Sequence, residues 1–336
     1  MLMKAAILAP VAWRTPPRHY GPWEQIASNI AEGLIKLGVD VTLFATGDSI
    51  TTGKLESICE QGYEEDRTQD AKVLECLHIS KLMEQAHEFD IIHNNFDFLP
   101  LTYTGLIDTP VITTIHGFSS PRIIPVYKKY NSHGHYVSIS NADRSAELEY
   151  IATVYNGLDA RDFKFTETPQ DYLLYFGRIH HDKGAAEAIQ IAKKAKKKLL
   201  IAGIIQDENY WKEKVEPYLN DDIQYIGHAG PEKRNELLGN AIALLHPINF
   251  AEPFGMSVAE SMLCGTPVIA FNKGSMPELI KHKETGFLVN TVDEAVEAIA
   301  QLGTINRATC RDWANSQFSS EKMVADYYKL YQQILG

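Results

Sequence analysis

The chain has 336 residues, 45% of them apolar, and a formal net charge of -11. That size allows one oversized domain or two ordinary ones with full cores. The acidic balance excludes generic nucleic-acid binding, which needs a basic footprint.

The four cysteines, Cys59, Cys76, Cys264 and Cys310, form no Cys-x-x-Cys pair. This argues against a zinc site or disulfide framework and fits a reducing cytoplasm, the expected location. No apolar run approaches the length needed to span a bilayer. The start, residues 1–13, reads as a buried first strand and not as a signal peptide.

Short apolar runs alternate with helical patterns. In the first half the pattern predicts strands over residues 4–9, 39–45, 90–93, 110–115 and 135–139. A helix is predicted over 23–37, with Ile26, Ile30, Leu34 and Leu37 at helical spacing and Gly38 as its stop. Another is predicted over 140–150, capped by Ser140 or Asn141. The polar segment 160–171, which contains Pro169, is the expected linker. The pattern then restarts: a strand over 172–176, a helix over 184–194, and strands over 199–202, 223–226, 241–245 and 267–271. The tail, 320–335, predicts a helix with Met323, Tyr327, Leu330 and Ile334 on one face, and packing onto the first domain is expected. Two βαβ series in succession predict two parallel-sheet α/β domains. These are residues 1–165, joined by the tail helix from about 319 to 336, and residues 166–318. Such sheets bind ligands at the carboxyl ends of their strands, and two facing domains are expected to make a cleft.

The segment Phe250-Ala-Glu-Pro-Phe-Gly-Met-Ser-Val-Ala-Glu260 holds the sharpest signal. Glu252 lies just before a Pro-Phe-Gly turn that reads as a helix entry, and Glu260 lies two turns into that helix. Unpaired N–H groups and a positive dipole end make a helix N-terminus a phosphate site. The two carboxylates would accept hydroxyl donors on either side of that phosphate. A diphosphate with a sugar at each end, a nucleotide sugar, has that layout.

In Tyr175-Phe-Gly-Arg-Ile-His-His-Asp-Lys-Gly184, two cations, Arg178 and Lys183, follow a strand end. They suit a diphosphate, Arg178 as a planar fork and Lys183 as a mobile point charge. They read equally well as surface cations on a loop. The first loop, residues 9–24, is long and carries only Gly21, so it does not match the dinucleotide fingerprint. His116 closes an apolar strand and is expected at its carboxyl end; His93 is placed in the same way. His180 and His181 read as loop histidines. No metal-ligand motif stands out, so no metal is expected.

Glu252-Pro-Phe-Gly with Glu260, Gly177-Arg178 with Lys183-Gly184, and Val154-Tyr-Asn-Gly157 together resemble the retaining glycosyltransferases of family 4, which have the two-domain GT-B fold. The resemblance covers nearly the whole chain. It implies that Arg178 and Lys183 bind the donor diphosphate, that Glu252 holds the transferred sugar and that Glu260 holds the ribose. It also implies that the amides of Phe254, Gly255 and Met256 touch sugar or phosphate, that Gly21 lies under the diphosphate and that His116 lines the sugar site. The catalytic set is then His116, Glu252, Arg178 and Lys183, with His93 and Tyr20 on the acceptor side. Two departures stand out. The family's paired glycines read Gly21-Pro22, one N–H fewer, and its His-x-His reads His93-Asn94-Asn95.

The expected activity is metal-independent, retaining transfer of a hexose from a nucleoside-diphosphate sugar to a sugar, lipid-linked or small-molecule acceptor. UDP-sugar is the first choice of donor and GDP-mannose the second. An epimerase on a similar fold and a non-catalytic nucleotide-sugar sensor are the rival readings. Residues 51–69 and 117–132 are expected to choose the acceptor. Arg122, Lys128 and Lys129 could face a membrane, although a solvated surface is the favoured reading.

Overall fold

The computed structural model describes residues 2–118 and 120–336. It divides into two compact units, Met1–Gly157 with Ser320–Gly336, and Leu158–Ser319.

The first unit carries strands β1 (Lys4–Leu8), β2 (Asp40–Phe44), β3 (Lys54–Glu56), β4 (Ile91–Asn94), β5 (Val111–Ile115), β6 (His135–Ser138) and β7 (Ala152–Thr153). Its helices are α1 (Pro22–Lys36), α2 (Ala71–Glu84) and α3 (Ile124–Tyr130). The strands form one parallel sheet in the order β3-β2-β1-β4-β5-β6-β7. β1 is buried at every position after Lys4, and β4 and β5 throughout. Burial on both faces explains why these strands read as continuous apolar runs and not as alternation.

The second unit carries β8 (Leu173–Phe176), β9 (Leu199–Ala202), β10 (Ile223–Gly227), β11 (Ala243–His246), β12 (Val268–Phe271) and β13 (Gly286–Val289). Its helices are α4 (Ala185–Ala195), α5 (Glu208–Tyr210), α6 (Pro231–Asn240), α7 (Met256–Leu263), α8 (Met276–Leu279), α9 (Val292–Ala300) and α10 (Arg307–Phe318). The sheet order is β10-β9-β8-β11-β12-β13, again parallel. In each sheet the order reverses once, between β1 and β4 and between β8 and β11. Open α/β sheets place ligands at that reversal, outside the carboxyl ends of the strands.

The last helix, α11 (Ser320–Leu335), belongs to the first unit. Its Tyr331 hydroxyl lies 2.7 Å from His93 Nδ1, and its Tyr327 hydroxyl lies 2.6 Å from Thr114 Oγ1. Gly33 of α1 meets Val324 so closely that a Cβ there would lie 2.3 Å from Val324 Cγ2.

Two expectations need correction. Residues 140–150 form no helix but a run of turns. Ser140 Oγ accepts from Asp143 N–H, Arg144 Nε donates to Ser138 Oγ, and Ser145 N–H donates to the Tyr150 hydroxyl. Such local bonds give the backbone an alternative to the helix ladder. The segment 160–171 is not a free linker either, because the division falls after Gly157. Arg311 donates to the carbonyls of Ala160 and Phe163, and Arg307 donates to that of Thr166, which fastens the segment to the second unit.

Candidate active site

In the second unit, the loops after β8 and β11 leave neighbouring strands and touch through their backbones. Gly184 has φ 75°, and a Cβ there would lie 1.9 Å from the Pro247 carbonyl oxygen. Only glycine fits that approach. It brings Lys183 beside Glu252, and Lys183 Nζ donates to Glu252 Oε2 at 2.5 Å. The ammonium also lies 4.6 Å from the Phe250 ring centroid. The two side chains keep 15% and 13% of their surface exposed, so the pair is half sunk and reachable.

The Glu252 backbone is fixed from β12. Ser275 N–H donates to the Glu252 carbonyl at 2.9 Å, and Ser275 Oγ donates to the Phe254 carbonyl at 2.7 Å. A Cβ on Gly274 would lie 2.3 Å from Glu252 N, so that loop too needs glycine. Gly255 is the N-cap of α7, and Met256 is its first residue. The first N–H groups of such a helix have no partner inside it and point out of its end.

The remaining expected donor residues sit differently. Arg178 turns its guanidinium to Gln206 in the loop after β9, outside the Lys183–Glu252 pair. Glu260 is buried on α7 and accepts from Arg234 Nη1 at 3.0 Å. Burial raises its carboxyl pKa, and Arg234 pulls it back down. Phe254 is buried and packs edge-on against Phe318, ring centroids 5.6 Å apart.

In the first unit, Gly21 (φ 150°) is the N-cap of α1. A Cβ on Gly21 would lie 2.8 Å from Glu24 Oε2. The Glu24 carboxylate accepts from the N–H groups of Trp13 and of Glu24 itself, so it already occupies the start of α1. Burial pushes its pKa from 4.5 to about 7. His116 is buried at the end of β5 and is stacked on Trp23, centroids 5.5 Å apart. Its Nε2 lies 3.2 Å from Asn95 Oδ1, while His116 Nδ1 and Asn95 Nδ2 are buried without a hydrogen-bond partner. Burial drives the His116 pKa down to about 3, so the ring is neutral.

Tyr20 is exposed, edge-on to Trp13 with centroids 6.4 Å apart. His93, expected on the acceptor side, is fully buried instead. Both its ring nitrogens are engaged, Nδ1 with Tyr331 and Nε2 with Thr114 at 2.7 Å each. It is a core histidine tying the sheet to α11. Part of the 51–69 segment lines an open pocket of about 300 Å³, with Asp48, Cys59, Glu60 and Asp66 around it. Ser119, within the 117–132 segment, lies outside the described residues.

Four residues that sequence reasoning passed over belong to these sites: Glu24, Asn95, Arg234 and His246. His246 is the last residue of β11 and His116 the first after β5, and that similar position was the available signal. Its Nε2 is buried, has no hydrogen-bond partner and lies 3.8 Å from Glu252 Oε2. Burial lowers its pKa to about 4. Glu24 stands three residues after the N-cap, a spacing known from capping boxes.

Residues 159–317 match the family model described as Glycosyl transferases group 1, so the second unit carries that domain. N-acetyl-alpha-D-glucosaminyl L-malate synthase of Bacillus anthracis is 26% identical over 209 residues, covering 55% of this chain and 54% of its own. The chain spans about half the length of the first curated relatives that it matches. AviGT4, a glycosyltransferase involved in avilamycin A biosynthesis, superposes with a TM-score of 0.74 at 22% identity, covering 99% of this chain and 98% of that one. Anabaena Alr3699/HepE, solved with UDP and glucose, gives 0.73 at 20% identity over 98% and 99%. Two parallel-sheet α/β units with these neighbours define the GT-B fold. Among the described residues, no helix is long and apolar enough to cross a membrane.

Proposed function

We propose that this chain is a retaining, metal-independent glycosyltransferase. It moves a hexose from a nucleoside-diphosphate sugar, UDP-sugar first and GDP-mannose second, to a carbohydrate, lipid-linked or small-molecule acceptor. The observation that carries the reading is the Lys183–Glu252 pair, held at the strand-order reversal between β8 and β11 beside the N-terminus of α7.

An ammonium has three donors, so Lys183 can keep Glu252 in place while giving another hydrogen bond to a phosphate oxygen. Glu252 has a second oxygen for a sugar hydroxyl, which makes it a positioner. Arg178 leaves Gln206 to grip the diphosphate as negative charge grows on it. In the transfer step the bond from the anomeric carbon to the phosphate oxygen breaks and the bond to the acceptor oxygen forms on the same face. The acceptor proton passes to the leaving phosphate. His116, neutral at pH 7 and with its Nδ1 unpaired, offers a ring N–H or a lone pair to a hydroxyl of a ligand held by the first unit. The acceptor is assigned to the first unit, and the pocket beside the 51–69 segment supports this.

The test is a transfer assay with UDP- and GDP-sugars, with the product anomer read by NMR. Lys183→Ala should lower kcat/KM by about 10²–10³-fold, the scale of one lost donor to a developing oxyanion. Arg178→Ala should weaken binding of free nucleoside diphosphate as well. Unchanged kcat/KM in both variants would remove the diphosphate role, and an inverted product would remove the same-face step.

A further inference from the structure

We propose that His180, His181 and Asp182 form a binding site for a divalent transition ion of the Zn²⁺ class, with Asp207 orienting His181. The site shares the loop after β8 with Arg178 and Lys183, but none of its four residues is given a part in the transfer step, so it does not depend on that reading.

The three residues turn one ligand atom each into a common space, all within 4.8 Å of one another. His180 Nδ1 lies 3.4 Å from Asp182 Oδ2, and His181 Nε2 lies 3.1 Å from Asp182 Oδ1. Ligand atoms about 2.0–2.2 Å from a tetrahedral zinc are about 3.3 Å from one another. The two short separations reach different oxygens of Asp182, and the three ligand atoms, within 4.8 Å of one another, need only small side-chain turns to close on one ion. The two imidazole rings lie side by side, centroids 4.1 Å apart. Two imidazoles and a carboxylate also suit zinc better than magnesium or calcium, which prefer oxygen ligands.

The loop is built for the arrangement. Residues His181–Lys183 form a single 3-10 turn ending at Gly184, which is locked against Pro247. The long 3.4 Å bond from Asp182 N–H to His180 Nδ1 is a contact that an ion would displace there. On the far side of the His181 ring, Nδ1 lies 3.4 Å from Asp207 Oδ2. Asp207 is itself fixed, because its other oxygen caps α5 by accepting from Tyr210 N–H at 3.0 Å. A carboxylate behind a metal-bound imidazole sets its tautomer and orientation and strengthens binding. Three protein ligands leave a fourth position for water. The ion would thereby staple the loop after β8 to the loop after β9. The sequence gives no warning, since His-His-Asp matches no common ligand spacing and Asp207 comes from another loop.

The experiment uses the full chain with any affinity tag removed and dialysed against chelator. Calorimetric titration with ZnCl₂ should show one site per chain, and Zn²⁺ should raise the melting temperature. Co²⁺ in its place should give the visible absorption of a tetrahedral site. His181→Asn and Asp182→Asn should each lose the heat and the thermal shift while melting, without metal, at the wild-type temperature. Asp207→Asn should weaken Zn²⁺ binding by about 10–100-fold, the usual effect of losing such a partner. His133→Asn, in the other unit, should change nothing. No saturable binding, or binding that survives both His181→Asn and Asp182→Asn, would overturn the proposal. A variant that melts early without metal is replaced by His180→Gln, for which the same loss is expected.

Discussion

Glu24 is buried to 3% exposure with its carboxylate against two backbone N–H groups, yet its pKa rises from 4.5 to about 7. Desolvation therefore outweighs the hydrogen bonds, since burial disfavours the charged form. A folded pKa above the unfolded one gives stability that is complete below about pH 4.5 and is lost as the pH rises through 7. The span corresponds to at most ~3 kcal/mol. Glu24→Gln should flatten that decline, and the difference between wild-type and variant melting curves across pH 4.5–7 checks it. An identical slope would show that Glu24 is ionised throughout. The buried histidines work the other way. His78, His93, His116 and His246 are pushed down to about 4, 3, 3 and 4, so their contribution is lost as the pH falls below the ordinary 6.5. Comparison with the single variant separates the two groups.

The contact that decides how α11 returns to the first unit is its crossing with α1. Alanine has the better helix propensity, which would favour Gly33→Ala by about 1 kcal/mol. The new Cβ would lie 2.3 Å from Val324 Cγ2 and 2.9 Å from Cγ1, however. Overpacking of that kind costs about 1–3 kcal/mol and should win. Denaturant melts should place Gly33→Ala below wild type, with Gly33→Ala/Val324→Ala recovering part of the loss. A stabilised single variant would mean that the helices separate freely. His93→Ala should weaken the same attachment by about 2–4 kcal/mol, because it leaves a cavity and strands the buried hydroxyl of Tyr331. The element pattern itself was legible: β1, β2, β4, β5, β6, β8, β9, β10, β11 and β12 all lie within a residue or two of the predicted runs. The short strands β3 and β7 and the strand β13 gave no such run. The turns at 140–150 were misread because serine and asparagine fit a helix cap and a turn equally well.

At the scale of the molecule, the proposed chemistry puts the electrostatic work on Arg178 and Lys183 and none on a metal. In the His181→Asn chain, which lacks the proposed zinc site, transfer should survive EDTA unchanged; a full loss there would return the diphosphate to a metal ion. A thermal-shift screen of UDP, GDP and ADP should raise the melting temperature with one nucleotide above the others. Lys183→Ala should reduce that shift more than Glu252→Gln does, because the proposed reading gives the lysine the phosphate and the glutamate the sugar. Equal shifts for all three nucleotides in both variants would sink the assignment.

The sequence by itself determined the two parallel-sheet series, the carboxyl-end placement of Arg178, Lys183 and His116, and the helix entry at Gly255 with Glu252 just before it. Those follow from apolar run length, glycine position and strand direction, all written locally. Only the tertiary structure decided that Lys183 meets Glu252 through the Gly184–Pro247 approach, and that His93 belongs to the core under α11. It alone showed that Glu24 fills the start of α1 and that Asp207 stands behind His181. Each of these pairs residues far apart in the chain. Desolvation and close packing act on neighbours in space, and a linear pattern does not name them.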